Sequence, residues 1–478
     1  MGITNSTHAH FKSSRSDWDV VRQMMTGENA AASLRRRFFE HDELYKERRQ
    51  DSDHTPWTHY LMARLAGMIF ERSSDVEREL GPAVTDADLE SAGPDDEDYS
   101  VQLMEMMKTA LAYNTAYVCL NPRRGLEIAT PLDVPNWTEG ERVITGSRVM
   151  PGQSVFSDVR AVDTWTRYTP VGYEVYRKAT KEDAQKEDVL IESGIWAEND
   201  DFGFADGEDL PTPAVADQRG VPYFVDGAGM PSPPVVRVEL PWSAKLGVLI
   251  ARKHRGLFRL RSRRDFHLST AINGRLQIGA GGDIDLLDKI KNSLKKGGKV
   301  IPYNKDFGEH KGLSVPIEGA KLATKVMQAK KEALMEVAYN SLEQAARQSA
   351  TEAMIKHQGG AAAALSVAAE TLADAEVRIL RLWNQMNDLT LAGPNSTPID
   401  VSASWPADYS DITGEDLVDR LFPQRGIPVD TETATSVVVS FLEDAGYSPD
   451  EAQIRDAVED RLGRDSQERN ATQSFLGG

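Results

Sequence analysis

The chain has 478 residues, long enough for two to four domains and a sizeable core. Its 40% hydrophobic and 27% charged content is ordinary for a soluble protein, and no window approaches the length of a membrane span. A net charge of −19 argues against tight gripping of nucleic acid through phosphates, and a single cysteine, Cys119, excludes internal disulfides and a cysteine-based zinc site.

The first residues lack an apolar signal core, so synthesis inside a cell is expected. Trp18, Val21, Met24 and Met25 fall on helical spacing. A second helix is expected from Trp57 through Tyr60, Leu61, Leu65, Met68 and Ile69. The acidic turn at 93–98 separates it from a third helix at 99–114. Residues 117–177 carry short β-prone runs (142–144, 155–159 and 172–176) divided by proline and glycine, which predicts a small sheet packed on helices. Residues 199–232 are acidic and rich in glycine and proline, the composition of a linker or long surface loop. The apolar run 235–240 then reads as a buried strand.

A basic helix is expected over 243–271, stopped by Asn273-Gly274. A compact insert follows as far as Pro316, with an apolar run at 276–278, a turn at 280–282, a short helix at 284–294 and a strand at 300–303. A very long helical stretch is expected over 318–389. It is nicked at Gly359-Gly360 and turns polar after Asn340. Beyond the nick Leu365, Ala368, Leu372, Ala375, Ile379, Leu382, Met386 and Leu389 recur by threes and fours. A β-prone segment at 398–405 precedes three short helices with start signals at Thr413, Asp430 and Ser448-Pro449-Asp450-Glu451.

Enzyme signatures are missing from this pattern. Gly297-Gly298-Lys299-Val300 lacks the spacing and hydroxyl of a phosphate-binding loop, and Gly279-Ala280-Gly281-Gly282 reads as a turn. No zinc-protease, nucleophile-elbow or paired-cysteine motif occurs. The histidines are scattered without metal-ligand spacing; His254 and His267 are read as surface groups on the basic helix. Two constellations stand out. Arg252, Lys253, Arg255, Arg259, Arg261, Arg263 and Arg264 crowd one helix of an acidic chain. They form either a solvated face paired with acidic neighbours or a face apposed to nucleic acid or an acidic partner subunit; their mutual repulsion calls for a compensating anion. Gln344, Arg347, Gln348, Lys356 and His357 lie in the polar stretch 344–357. This is either a plain helix–helix connection or a mobile loop offering weak, sequence-blind contacts to a polyanion.

Several blocks, in this order, resemble the portal proteins of tailed bacteriophages, the head-to-tail connectors. Trp18-Asp19-Val20-Val21-Arg22 with Gly27-Glu28, Tyr45-Lys46-Glu47-Arg48-Arg49, and Leu65-Ala66-Gly67-Met68-Ile69-Phe70-Glu71-Arg72 are similar to the start of one portal group. Glu239-Leu240-Pro241 leading into the basic helix and ending Ala271-Ile272-Asn273-Gly274, then Ser349-Ala350-Thr351-Glu352-Ala353, then Gly426-Ile427-Pro428 with Thr431, continue the likeness.

The resemblance implies an α+β, predominantly helical fold with long helices in a wing, stem, clip and crown. The wing would take 1–240 and 358–405, the stem 241–273 and 318–340, and the clip 274–317. The tunnel loop would be 341–357 and the crown 406–478. It also implies a ring, usually of twelve copies, at one capsid vertex of the virion, made in the host bacterial cytoplasm. Its partners would be the major capsid protein, the terminase large subunit, a head–tail adaptor and double-stranded DNA passing without sequence specificity; no membrane, cofactor, metal or catalytic residue is implied. The twelve residues of the two constellations would face the DNA channel. The alternative is a helical scaffold or adaptor of the virion that never touches DNA. A third reading, a carboxylate site among residues 200–209, ranks last, since acidic residues in such loops are mostly solvated.

Overall fold

The computed structural model describes residues 3–409 apart from 37–41, 51, 53, 122–124, 139, 151–159, 180–187, 197–209, 211, 220, 242–244, 273–275, 280–299, 304–324, 328–329, 331–339, 341, 343, 345–346, 351–359, 394–398 and 407. The chain divides into two compact units, Met1–Leu417 and Val418–Gly478. The second unit, the three expected C-terminal helices, the insert helix at 284–294 and the strand at 155–159 lie outside the described residues.

Helix α1 (Ala9–Thr26) starts where the His8 side chain accepts from the His10 backbone N–H at 3.1 Å. It stops at Gly27, left-handed at φ 78°. Trp18, Val21, Met24 and Met25, which its spacing predicts, are buried, and Phe11 is buried with them. Helix α2 (Asp42–Gln50) is short and charged. Helices α3 (Trp57–Phe70) and α5 (Tyr99–Tyr113) pack on one another, with the small α4 (Asp86–Glu90) between them in sequence. Asp98 caps α5, accepting from the Ser100 N–H at 2.7 Å, and Asn114 at φ 65° ends it. Leu61, Leu65, Ile69, Leu103, Met106, Met107 and Ala110 fill the layer between these helices.

Strand β1 (Glu77–Glu79) follows α3 in the chain; β2 (Thr115–Asn121) follows α5 directly and is buried along nearly its whole length. It is the centre of a three-stranded antiparallel sheet, between β3 (Gly125–Ala129) and β9 (Val235–Glu239). A five-stranded antiparallel sheet runs in chain order through β4 (Asn136–Trp137), β5 (Arg142–Met150), β6 (Arg160–Tyr168), β7 (Gly172–Lys178) and β8 (Asp188–Ile195). Helix α6 (Pro213–Arg219) comes next.

Part of the expected linker is therefore packed. Val221, Tyr223 and Val225 join Val171 and Ala216 in a small buried cluster, and Gln385 holds Val225 at both its N–H and its C=O, each at 2.9 Å. A few apolar anchors outweigh the polar, glycine-rich surroundings, because burying each stabilises by about 1.5–3 kcal/mol.

Helix α7 (Leu246–Ile272) is the basic helix, 27 residues long. Gly247 lets it start hard against α5: a Cβ there would lie 1.9 Å from the Ala112 carbonyl oxygen. Beyond α7, β10 (Leu276–Gly279) and β11 (Val300–Tyr303), on the apolar run at 276–278 and the strand expected at 300–303, form a parallel pair. Residues 325–327, 330, 340, 342, 344 and 347–349 are helical. Helix α8 (Gly360–Asn387) runs 28 residues, and β12 (Ser402–Ser404) returns to pair with β1.

The expected fold class, predominantly helical and built on long helices in a wing, stem, clip and crown, is corrected. The chain is about 52% helix and 21% strand, with three antiparallel sheets, a mixed α+β fold. Among the described helices only α7 and α8 exceed 20 residues. The expected β-prone runs at 142–144, 172–176 and 235–240 fall on β5, β7 and β9, but the extent of the sheet was underestimated because strands such as β6 (Arg-Ala-Val-Asp-Thr-Trp-Thr-Arg-Tyr) mix polar and apolar residues.

Candidate functional site

Helix α7 buries one side against α1, α3 and α5. Leu246, Ile250, Ala251, His254, Leu257, Phe258 and Ser262 lie on that side. The seven cations therefore project from the flanks and the outer face, and their circumstances differ. Arg252 is half exposed and forms an ion pair with Asp17 of α1, which Lys245 also reaches at 3.4 Å. Arg259 Nε donates to the Ser33 carbonyl oxygen at 2.8 Å. Arg261 donates to the Thr55 hydroxyl and sits 3.7 Å from Asp265. Arg264 donates through Nε and Nη2 to Asp265 Oδ1 at 2.8 and 2.7 Å. Lys253 and Arg263 are exposed and Arg255 is half-buried; none of these three has an ion-pair partner among the described residues.

The electrostatics match this geometry. Burial first, then the charges of Arg255, Arg35 and Arg263, hold the Arg259 guanidinium below its ordinary pKa. Arg35 is exposed beside the helix and was not singled out by the sequence. Lys330 adds a further cation nearby, its Nζ 4.0 Å from where a Cβ of Gly256 would stand. The Lys330 side chain, beyond the insert, thus reaches α7.

Gln344, Arg347 and Gln348 are all exposed and helical, with Ser349 completing the turn. Lys356, His357 and the acidic residues 200–209 lie outside the described residues. Just beyond the turn, β9 and α8 border a cavity of about 310 Å³ reached by Ser349, Arg237, Glu239, Glu370, Asp374 and Arg378. Arg237 and Glu239 pair at 2.7 Å across its rim.

His254 departs from the surface role expected of it. It is 2% exposed, shares a hydrogen bond with the Thr58 hydroxyl at 2.9 Å and lies 5.1 Å from the His54 ring. Burial, then the neighbouring His54, pushes its pKa down to about 3. The signal was present: His254 falls four residues after Ile250 and four before Phe258, on the buried stripe. The side chain of His267 is not described.

No family model and no curated protein matches the sequence. Among the described residues no group of three or more His, Cys, Asp or Glu could hold a metal ion, and no described helix is long and apolar enough to cross a membrane. What the two constellations offer chemically is fixed positive charge and amide hydrogen bonding, presented on helices.

Proposed function

We propose that the chain is a portal-type subunit that assembles into a ring, twelve copies in the form the resemblance implies, around an axial passage for double-stranded DNA. The observation that carries this reading is the out-and-back path of the central segment. Helix α7 is followed by the β10–β11 pair of the insert, and after the insert the Lys330 side chain comes back to Gly256 of α7. Such an excursion has little reason to exist in a lone globular subunit, whose exposed helices gain by burying against neighbours.

Gln344, Arg347 and Gln348 are the residues assigned to weak, register-free contact with passing phosphates. They are exposed, carry one charge in three, and sit in a chain whose −19 net charge otherwise repels the duplex. The subunit performs no chemistry in this reading. It is a conduit and a docking platform for the terminase large subunit, the major capsid protein and a head–tail adaptor at one virion vertex.

Electron microscopy of the purified full-length protein, with class averaging, tests the proposal. Closed rings with a central hole wide enough for duplex DNA are expected. Rings without such a hole move the protein to the adaptor class, which never contacts DNA. A compact monomer at all concentrations, alone and with capsid protein, overturns the reading.

A further inference from the structure

Arg252, Arg255, Arg259 and Arg263 recur at spacings of three, four and four, so they stand in one stripe along α7. Arg35 stands beside the stripe and reinforces it. Among the described residues, Asp17 answers only the first of the four, and the Ser33 carbonyl takes a hydrogen bond from the third without neutralising it. Like charges at these spacings on a helix oppose one another. The array needs a counter-anion for as long as the protein is folded, not only while DNA is passing.

A matching anion is present elsewhere in the chain. Residues 71–98 hold eleven aspartates and glutamates against two arginines. Both arginines are engaged: Arg72 lies 3.4 Å from Asp75 and Arg78 lies 2.5 Å from the buried Glu376. Glu77, Asp86, Glu90 and Asp96 are exposed. Within one subunit, helix α3 separates the two charged regions along the chain. Helix α3 begins beside α7, where Thr58 bonds His254, and its 14 residues carry the chain about 21 Å, at 1.5 Å each, before the acidic segment opens at Glu71. Exposed charges that far apart are screened at physiological salt.

We propose that the arginine stripe of α7 docks on the acidic segment 71–98 of a second copy of this chain, a head-to-tail contact between neighbouring subunits. Distinct surfaces meeting head to tail are what a closed ring requires, because a heterologous contact propagates round the circle. The inference rests on the ring reading and names the partner of its basic helix. It assigns these arginines to the neighbour and leaves passing DNA to the 344–348 turn. A rigid row of guanidiniums would hold phosphates in register and impede sliding, whereas against a protein partner the same row gives orientation and fast association.

The test uses the full chain and two paired charge reversals, Arg255→Glu with Arg263→Glu, and Asp86→Lys with Glu90→Lys. Mass photometry reads the assembly state, and circular dichroism and melting confirm that each variant is folded. Each pair alone is expected to raise the concentration needed for assembly ~10-fold or more. Mixed in equal amounts, the two proteins present complementary surfaces at both contacts and are expected to assemble again. Should a reversal prevent folding, the neutral pair Arg255→Gln with Arg263→Gln takes its place, and a shift of assembly toward lower salt is expected. Rings that form normally from either variant overturn the contact while leaving the ring reading standing; loss of DNA retention by such rings would assign the stripe to nucleic acid. Failure of the mixture to assemble also overturns it. A wild-type protein that never oligomerises overturns both.

Discussion

Glu376, fully buried in the middle of α8, accepts the Trp405 indole N–H at 2.6 Å on one carboxylate oxygen while Arg78 reaches the other at 2.5 Å. The Arg78 guanidinium also lies over the Trp405 ring, 5.6 Å from its centroid. Three distant stretches of sequence therefore meet at one carboxylate, and the β1–β12 pair, only three residues a side, is held by it. Breaking a buried charged pair by removing one member costs about 3–5 kcal/mol, since the other is left without its partner. Arg78 keeps some exposure, so Glu376→Ala is expected to cost about 3 kcal/mol in urea unfolding. Glu376→Gln, which can still accept from Trp405, should cost less. Equal stability of Glu376→Ala and wild type would show that the cluster contributes nothing.

His254 makes stability depend on pH. Its pKa is pushed down to about 3 in the fold against an ordinary 6.5. Between these values the unfolded chain binds a proton that the folded chain refuses, so stability is full above the unfolded value and falls as pH drops toward the folded one. The slope approaches about 1.4 kcal/mol per pH unit in that window. His254→Gln retains a partner for Thr58 and removes the titration. The difference in unfolding free energy between wild type and variant should therefore shrink steadily as pH is lowered from neutral. A difference constant with pH would mean that His254 titrates alike in the folded and unfolded chain.

Gly247 is a case where two effects of opposite sign can be compared. In an open helix Gly→Ala would stabilise by about 1 kcal/mol through helix propensity. At this position the new methyl would meet backbone, 1.9 Å from the Ala112 carbonyl oxygen, and backbone cannot swing aside like a side-chain tip. Overpacking of this kind costs about 1–3 kcal/mol and can separate α7 from α5. Gly247→Ala is expected to lower the melting temperature; a rise would show that the helices part without cost.

These sites also mark how far the sequence could be read. Helices α7 and α8 were legible because their apolar residues keep a 3.6-residue period and Asn273-Gly274 or Gly393-Pro394 punctuates them. The runs that carry β10 and β11 were legible, but their parallel pairing was not. The five-stranded sheet was underestimated, since β8 and β6 interleave charged and apolar side chains. The relations that fix the candidate site, Asp17 with Arg252 and Ser33 with Arg259, join residues more than 200 positions apart, and no local period encodes them. Composition also hid the anchors at 221–225, because four apolar residues scarcely alter the average of a glycine- and proline-rich segment.

Gln385 is the counterpart of those anchors. Its amide closes a ring of two hydrogen bonds with the Val225 backbone, both at 2.9 Å and both buried. Gln385→Leu fills similar space but orphans a buried N–H and a buried C=O, at about 1–3 kcal/mol each. Limited proteolysis should then cut within 221–234 well before the rest of the first unit. Global melting should fall less than the sum suggests, because the segment can open locally and regain water. Unchanged cleavage would mean that the apolar cluster alone holds the segment.

Arg347 tests whether the exposed turn meets DNA. Each phosphate neutralised by a protein cation contributes about 0.9 to the slope of log affinity against log salt on duplex DNA. Arg347→Ala should therefore flatten the salt dependence of DNA retention by about that amount for every subunit engaged. Gln344→Ala removes hydrogen bonding without charge and should weaken retention at all salts while leaving the slope alone. Both variants should assemble like wild type, since Gln344 and Arg347 project from the surface of the helical turn. An identical slope for Arg347→Ala and wild type, with packaging intact, would remove the turn from the DNA path and leave the passage without any charged contact among the described residues assigned to it.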